Sequence, residues 1–288
     1  MTRLFCGSLV CRLLIALPGL ASAQYDFTTL GVPGAAYTLA LGINNAGQIV
    51  GQYQDAGFAL HGFLRDVDGS YTTLDWPSAI NSFASGINDF GEIVGWYTVP
   101  ADQGHGFLRD LYGGFDTLDV AGSTYTKLNG INQAGQSVGT YVDAVPSTHS
   151  FRWDFDFSFT VIDVPDATDT SANGINIIDQ IVGGYVDAGE SVHGFLVDVD
   201  GTYTTLDVPG ATFTQANGIN DSCQIVGQYC PAPGGVQGFL LDVDGSYTTL
   251  DVFGASFASA CGINNIGQIV GWYTDARGTQ RGFLATPN

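Results

Sequence analysis

The tripeptide Gly-Ile-Asn begins at Gly42, Gly86, Gly130, Gly174, Gly218 and Gly262, always 44 residues apart. Three more series keep the same phase. They are Gly51, Gly95, Gly139, Gly183, Gly227 and Gly271; Tyr53, Tyr97, Tyr141, Tyr185, Tyr229 and Tyr273; and Phe63, Phe107, Phe151, Phe195, Phe239 and Phe283. A fixed period of this size marks an array of units, none of which can bury its apolar face alone.

Each unit reads as four short strands. In the second copy the spacing predicts strands over Phe83 to Ile87, Glu92 to Tyr97, His105 to Arg109 and Phe115 to Asp119. Tight turns separate them, as at Asn88-Asp89-Phe90-Gly91, where Asn caps the backbone and Gly accepts positive φ. Four antiparallel strands in this length make a propeller blade. The first strand carries small residues such as Ala40, Gly42, Ala84 and Gly86, suited to a crowded axis. The later strands carry Phe63, Tyr71 and Leu74, suited to a wide rim.

The ends of the chain indicate closure. The sixth copy stops after Gly282-Phe283-Leu284 without a fourth strand. Tyr25-Asp26-Phe27-Thr28-Thr29-Leu30 shares the Thr-Thr-Leu core of Tyr247-Thr248-Thr249-Leu250. The expected fold is therefore an all-β six-bladed β-propeller, one domain over residues 24–288, with the N-terminal strand completing the last blade. An open solenoid would instead want polar caps.

Residues 1–23 are a different material. Arg3 and Arg12 precede the apolar run Leu13 to Leu17, Pro18-Gly19 breaks it, and Ala21-Ser22-Ala23 fits a small-x-small cleavage site. This predicts a secretory signal with Gln24 as the mature N-terminus, a secreted or extracellular location, and no membrane insertion after cleavage. Removing Arg3 and Arg12, with no acid, takes the net charge from −20 to −22. That charge argues against nucleic acid and anionic membranes as partners. The acids are Asp except Glu92 and Glu190, a bias that points to turn chemistry. Cys223, Cys230 and Cys261 remain after cleavage. Cys223 and Cys230 sit at opposite ends of one strand and cannot pair, Cys230 with Cys261 is an open pairing, and three buried thiols is the plainer reading.

His-Gly-Phe-Leu at His61, His105 and His193, Leu-Asp-Val-Pro-Gly at Leu206, and Gly-Ile-Asn-Asn-x-Gly-Gln-Ile-Val-Gly at Gly42 and Gly262 resemble the HAF repeats of bacterial extracellular proteins. The resemblance covers the whole chain after residue 23 and implies export from a bacterial cell. It implies no activity and no catalytic residues. Gln237 and Arg281 depart from it at the histidine position of the last two copies.

Candidate sites are few. His61, His105, His149 and His193 share one repeat position, too far from the axis for a common metal, so loop-anchoring hydrogen bonds are expected. Asp66-x-Asp68-Gly69 and its copies suggest calcium, but the EF-hand spacing of Gly and Glu is missing and a hairpin wants Asp and Gly anyway. No metal or cofactor is assigned. The asparagines at Asn44, Asn88, Asn132, Asn176, Asn220 and Asn264 read as turn caps. Trp96 and Trp272 read as blade packing ahead of sugar stacking.

The third and fourth copies depart most from the pattern. Lys127 is the single lysine of the chain; in the next unit Asp166 and Asp169 replace a Gly and a usually aromatic or Asn position, and Asp187 lies in the loop between the second and third strands. These four are the candidate ligand-binding residues; no catalytic residue is assigned. The expected function is a secreted, non-enzymatic and monomeric binding module for glycan or protein, with near-identical units favouring multivalent contact. The alternative is an extracellular carbohydrate-active hydrolase or lyase around Lys127 and Asp169. The chain has no Gly-x-Ser-x-Gly elbow, His-Glu-x-x-His helix or phosphate loop.

Overall fold

In the computed structural model each repeat folds into one antiparallel four-stranded sheet, and the described residues are 21–22, 25–100, 104–144, 147–154 and 158–288. Blade I comprises Tyr37–Ile43, Ile49–Gln54, Leu60–Arg65 and Tyr71–Leu74. Blade II comprises Asn81–Ile87, Ile93–Thr98, Gly104–Arg109 and Phe115–Thr117, which lie where the repeat places them. Blade III runs through Tyr125–Ile131, Ser137–Val142, Thr148–Trp153 and Phe159–Val161. Blade IV runs through Asp169–Ile175, Ile181–Val186, Val192–Val197 and Tyr203–Leu206. Blade V is Ala211–Ile219, Ile225–Pro231, Gln237–Leu241 and Tyr247–Leu250. Blade VI takes Ala258–Ile263, Ile269–Thr274 and Gln280–Pro287 from the C-terminus. Its outer strand is Tyr25–Leu30 from the N-terminus, paired from Tyr25↔Pro287 to Leu30↔Gly282. The ring is a closed six-bladed β-propeller.

The expected signal segment falls outside the described residues, except that Ala21 and Ser22 pair in parallel with Thr248 and Thr249. Among the described residues no helix is long and apolar enough to cross a membrane.

The core lies between blades, because a sheet buried on both faces must pack each face on a neighbour. Val50 of blade I packs with Ala84, Ile93 and Phe107 of blade II, all 0 % exposed. Val270 of blade VI packs with Ala40, Ile49 and Phe63 of blade I, which seals the circle with the same chemistry. The glycines of the Gly-Ile-Asn series form the axis. A Cβ on Gly130 would lie 2.8 Å from the Asn173 carbonyl oxygen and 3.2 Å from Gly174 Cα, so no side chain fits where the blades converge. Just before each of these glycines the inner strand carries a β-bulge, between Leu128 and Gly130 in blade III and at the equivalent point of every other blade. The skipped residues are Leu41, Ser85, Asn129, Asn173, Asn217 and Cys261. A bulge re-aims one side chain out of the sheet alternation, and here all six line the axial opening.

The asparagine series does more than cap turns. Asn44 Oδ1 accepts from Gln48 N, as expected of a cap, while Nδ2 donates to the Asn88 carbonyl of the next blade at 3.1 Å. The pattern continues through Asn88, Asn132, Asn176 and Asn220, and Asn264 returns to the Asn44 carbonyl at 3.1 Å. All six side chains are buried. The result is a circular hydrogen-bond girdle joining every blade to the next.

Candidate functional site

The inner strands run from the face of the blade-to-blade loops toward the face of the Asn girdle. Residues early in these strands therefore surround the axis on the loop face. There an opening of about 230 Å³ is lined by Leu41, Ser85, Lys127, Asn129, Asn173, Asn217, Gln228, Ser259, Cys261 and Trp272. On the opposite face, Ile43, Ile87, Ile131, Ile175, Ile219 and Ile263, all nearly buried, and the girdle narrow the axis to about 70 Å³.

The six-fold pattern breaks in the loop-face mouth. Gly42 and its five copies are invariant, whereas the bulge position is Leu41, Ser85, Asn129, Asn173, Asn217 and Cys261. Two positions earlier than the bulge, Lys127 stands where the other copies carry Leu39, Phe83, Ser171, Gln215 and Ser259. Asn129, Asn173 and Asn217 each donate Nδ2 to the next blade's Ala172, Ala216 or Ala260 carbonyl at 2.8–2.9 Å. This fixes the orientation of the three amides. Trp272 stacks on Phe257, with ring centroids 4.7 Å apart, and borders the opening. Trp96 stacks on Phe83 at 3.7 Å. Trp96 also meets Tyr125 of blade III at 5.6 Å, so both tryptophans serve packing, and Trp272 has a second role at the rim.

Lys127 makes no ion pair with Asp166, Asp169 or Asp187, and none of those aspartates lines the mouth. Asp169 Oδ1 accepts from the Thr148 amide at 3.2 Å, the same job that Asn81 does for Leu60. Asp166 sits at φ 63° in the turn closed by Ala167 N and the Val164 carbonyl, where Gly34, Gly122 and Gly210 stand in other copies. Asp187 anchors its loop by accepting from Gly189 and Ser191 amides at 2.8 Å. Lys127, Asp166 and Asp169 are outliers among the copies, whereas Asp187 repeats Asp55, Asp143 and Asp275, and all three aspartates serve local backbone. Loss of hydration pulls the Lys127 pKa below its ordinary value, with Cys261 opposing weakly. Burial pushes the Cys261 thiol up to about 11. It is therefore neutral near pH 7 and gives the ammonium no counter-charge.

The histidines hold the rim. His61 Nδ1 lies 2.8 Å from Asp75 and Nε2 3.4 Å from Asp55, with the ring stacked on Tyr53 at 5.0 Å. His149 is held between Asp163 and Asp143, and His193 between Asp207 and Asp187. His105 Nδ1 meets Asp119 at 2.7 Å. Where histidine is replaced, Gln237 accepts from Tyr229 OH and Arg281 pairs with Asp275. The aspartates of Asp66-x-Asp68-Gly69 accept from Val67 and Ser70 amides, as a turn requires. Among the described residues no cluster of three His, Cys, Asp or Glu side chains is placed to hold a metal ion. The three cysteines are free thiols, so the open Cys230–Cys261 pairing does not form.

The clamps carry a pH dependence. For His61 and His193, lost hydration lowers the pKa, but the paired aspartates outweigh it and the net shift is upward. For His149 the hydrogen bond to Asp163 leads the upward shift. A raised folded-state pKa stabilises fully below the unfolded value of about 6.5, and that stabilisation is lost as pH rises through the folded value. Melting temperature should therefore fall as pH rises above about 6.5, and the triple variant His61→Gln, His149→Gln, His193→Gln should flatten that slope. An unchanged slope in the triple variant would assign the pH response elsewhere.

A larger cavity of about 350 Å³ opens between blades II and III. It arises where Ser137 replaces Ile49, Ile93, Ile181, Ile225 and Ile269 of the other copies, all of them 0–1 % exposed. The shorter Ser137 side chain contributes part of this space, and Phe90, Glu92, Trp153 and Asp154 frame the rest.

No family model and no curated protein matches the chain. Solved structures with the same architecture do. TolB from Acinetobacter baumannii superposes with a TM-score of 0.59 at 14% identity, over 83% of this chain and 64% of that one. The chain thus spans under two thirds of that TolB. A putative gluconolactonase gives 0.56 at 13% identity over 93% and 94% of the two chains. The fucose-recognising, six-bladed lectin of Aleuria aurantia gives 0.55 at 12% identity over 89% and 93%. At these identities the likeness establishes the propeller fold alone.

Proposed function

We propose that this chain is a non-catalytic binding propeller that takes a glycan in the loop-face mouth of its axis. The observation that carries this reading is the break in symmetry there. Six copies that agree at the buried Gly and Phe positions present three asparagines together with Leu41, Ser85, Cys261 and Lys127 to one shared opening. Fixed amides, serine hydroxyls and an aromatic edge at Trp272 supply the polar groups and flat apolar surface that a sugar ring requires. Fold alone does not assign function, but the Aleuria lectin indicates that six blades can serve sugar recognition.

The site argues for one ligand per ring rather than six equivalent ones. It also favours binding over the hydrolase or lyase alternative. A glycosidase needs two carboxyl groups flanking the bond, and no carboxylate or histidine lines the mouth. A protein partner is the second reading, reached through the same opening. Secretion through residues 1–23 and membership of the HAF-repeat group belong to this proposal, supported by the leader's composition and the repeat motifs. A glycan array followed by calorimetry on the purified protein tests it. The expected result is a bound glycan at a stoichiometry near one, weakened about tenfold by Trp272→Ala. Six sites per ring, or release of a shortened sugar, would replace this reading by rim multivalency or by catalysis.

A further inference from the structure

We infer that the axial mouth is selective for a carboxylate-bearing sugar, a uronic acid, received by Lys127; this rests on the glycan-binding reading above. The chain contains one lysine, and the fold places it in its central opening. The arginines at Arg152 and Arg281 sit against Asp154 and Asp275, whereas the Lys127 ammonium has neither an ion pair nor a hydrogen bond from the protein. A half-buried ammonium that has lost part of its hydration and gained no protein partner is destabilised. Nothing in the fold requires it, because the equivalent positions hold Leu39, Phe83, Ser171, Gln215 and Ser259. A bound anion removes that cost.

The surroundings specify the kind of anion. The lining is otherwise uncharged, since Cys261 stays a neutral thiol. Ser85 and Ser259 hydroxyls and the Asn129, Asn173 and Asn217 amides offer the spaced hydrogen-bonding groups that match sugar hydroxyls. The space of about 230 Å³ is below the roughly 300–1,000 Å³ of pockets for drug-sized ligands. It therefore suits one sugar unit rather than a polymer segment lying flat. The acidic outer surface opposes a polyanion at long range, but that field is screened beyond about 8 Å at physiological salt. One carboxylate on one sugar can reach Lys127 where a densely charged chain cannot.

The test is calorimetry on the full protein with two matched pairs: methyl glucuronide against methyl glucoside, and methyl galacturonide against methyl galactoside. A short peptide with a free C-terminus is included as a third carboxylate source. One acidic sugar should bind at least about tenfold more tightly than its neutral partner and than the peptide. Lys127→Gln should remove that preference and Lys127→Arg should keep part of it. Melting curves establish that both variants are folded. Equal binding of acid and neutral sugar, or a preference that survives Lys127→Gln, would overturn the carboxylate assignment while leaving the mouth a glycan site. Tightest binding of the peptide would overturn the sugar class. Binding of no sugar by the folded wild-type protein would overturn the glycan reading as well.

Discussion

A chain that begins at Val32 should melt roughly 10 °C or more below the intact protein and elute largely as aggregates. Such a truncation removes Leu30, which is 3 % exposed, and all six residue pairs between Tyr25–Leu30 and Gln280–Pro287. It also removes Phe27, whose ring meets Phe283 at 5.9 Å and Phe253 at 5.8 Å, and the hydrogen bond between Thr29 Oγ1 and Tyr273 OH. Loss of a buried leucine alone costs about 2–5 kcal/mol, and each lost hydrogen bond adds about 1 kcal/mol. The total exceeds about 5 kcal/mol, a large part of the stability of any domain. The bared edge of Gln280–Pro287 then becomes a template for pairing with another molecule. Differential scanning calorimetry and size-exclusion chromatography of the two chains measure both effects. A truncated chain as stable and monomeric as the intact one would show that the strand is an ornament.

Gly227→Ala should destabilise the protein by roughly 3 kcal/mol, although it adds a single methyl group. A Cβ there would collide with the Gln215 carbonyl oxygen and stand 2.7 Å from Phe239 Cε1 and 2.8 Å from Cζ. Neither neighbour can yield. The carbonyl belongs to the paired inner strand, and Phe239 is 0 % exposed in the core between blades IV and V. The same geometry recurs at Gly51, Gly95, Gly139, Gly183 and Gly271. It explains why one repeat position is always glycine and its partner always phenylalanine. Gly31→Ala is the control, because a Cβ there meets nothing within 4 Å and its φ is not positive. A Gly→Ala change at such a compatible position stabilises by about 0.4–1 kcal/mol. Urea unfolding of the two variants should separate them clearly, and equal midpoints would remove the steric account of the repeat.

Much of this architecture was readable because the repeat is a packing requirement written six times. Small residues at Ala40 and Gly42, large ones at Phe63, and the Thr-Thr-Leu match between the two ends each reflect a constraint internal to one blade. What escaped depends on the neighbouring blade. Asn44 was legible as a cap because it bonds four residues on, but its bond to the Asn88 carbonyl spans 44 residues and has no local signal. The bulge that re-aims Asn129 toward the axis did leave a signal, the invariant glycine that follows the skipped residue in every copy, but that glycine also fits a crowded axis and does not say which side chain is re-aimed. At the site, Lys127 was visible as an outlier among copies. Grouping Lys127 with Asp166 and Asp169 followed from comparing copies, which shows where residues differ and not whether they meet, and Asp187 joined them only by lying in a nearby loop. Asp166 occupies a turn needing positive φ and Asp169 ties down the Thr148 amide, and both jobs use the carboxylate locally.

Every statement about axis, mouth and girdle assumes that the chain's first strand closes the circle beside its last. Hydrogen–deuterium exchange in native buffer, resolved to single amides, reads this directly. A closed ring predicts that the amides of Tyr25–Leu30 that face Gln280–Pro287 are protected like those of Ile269–Thr274, while the alternate amides of this edge strand exchange freely. Rapid exchange throughout Tyr25–Leu30, with the inner strands still protected, would mean an open ring.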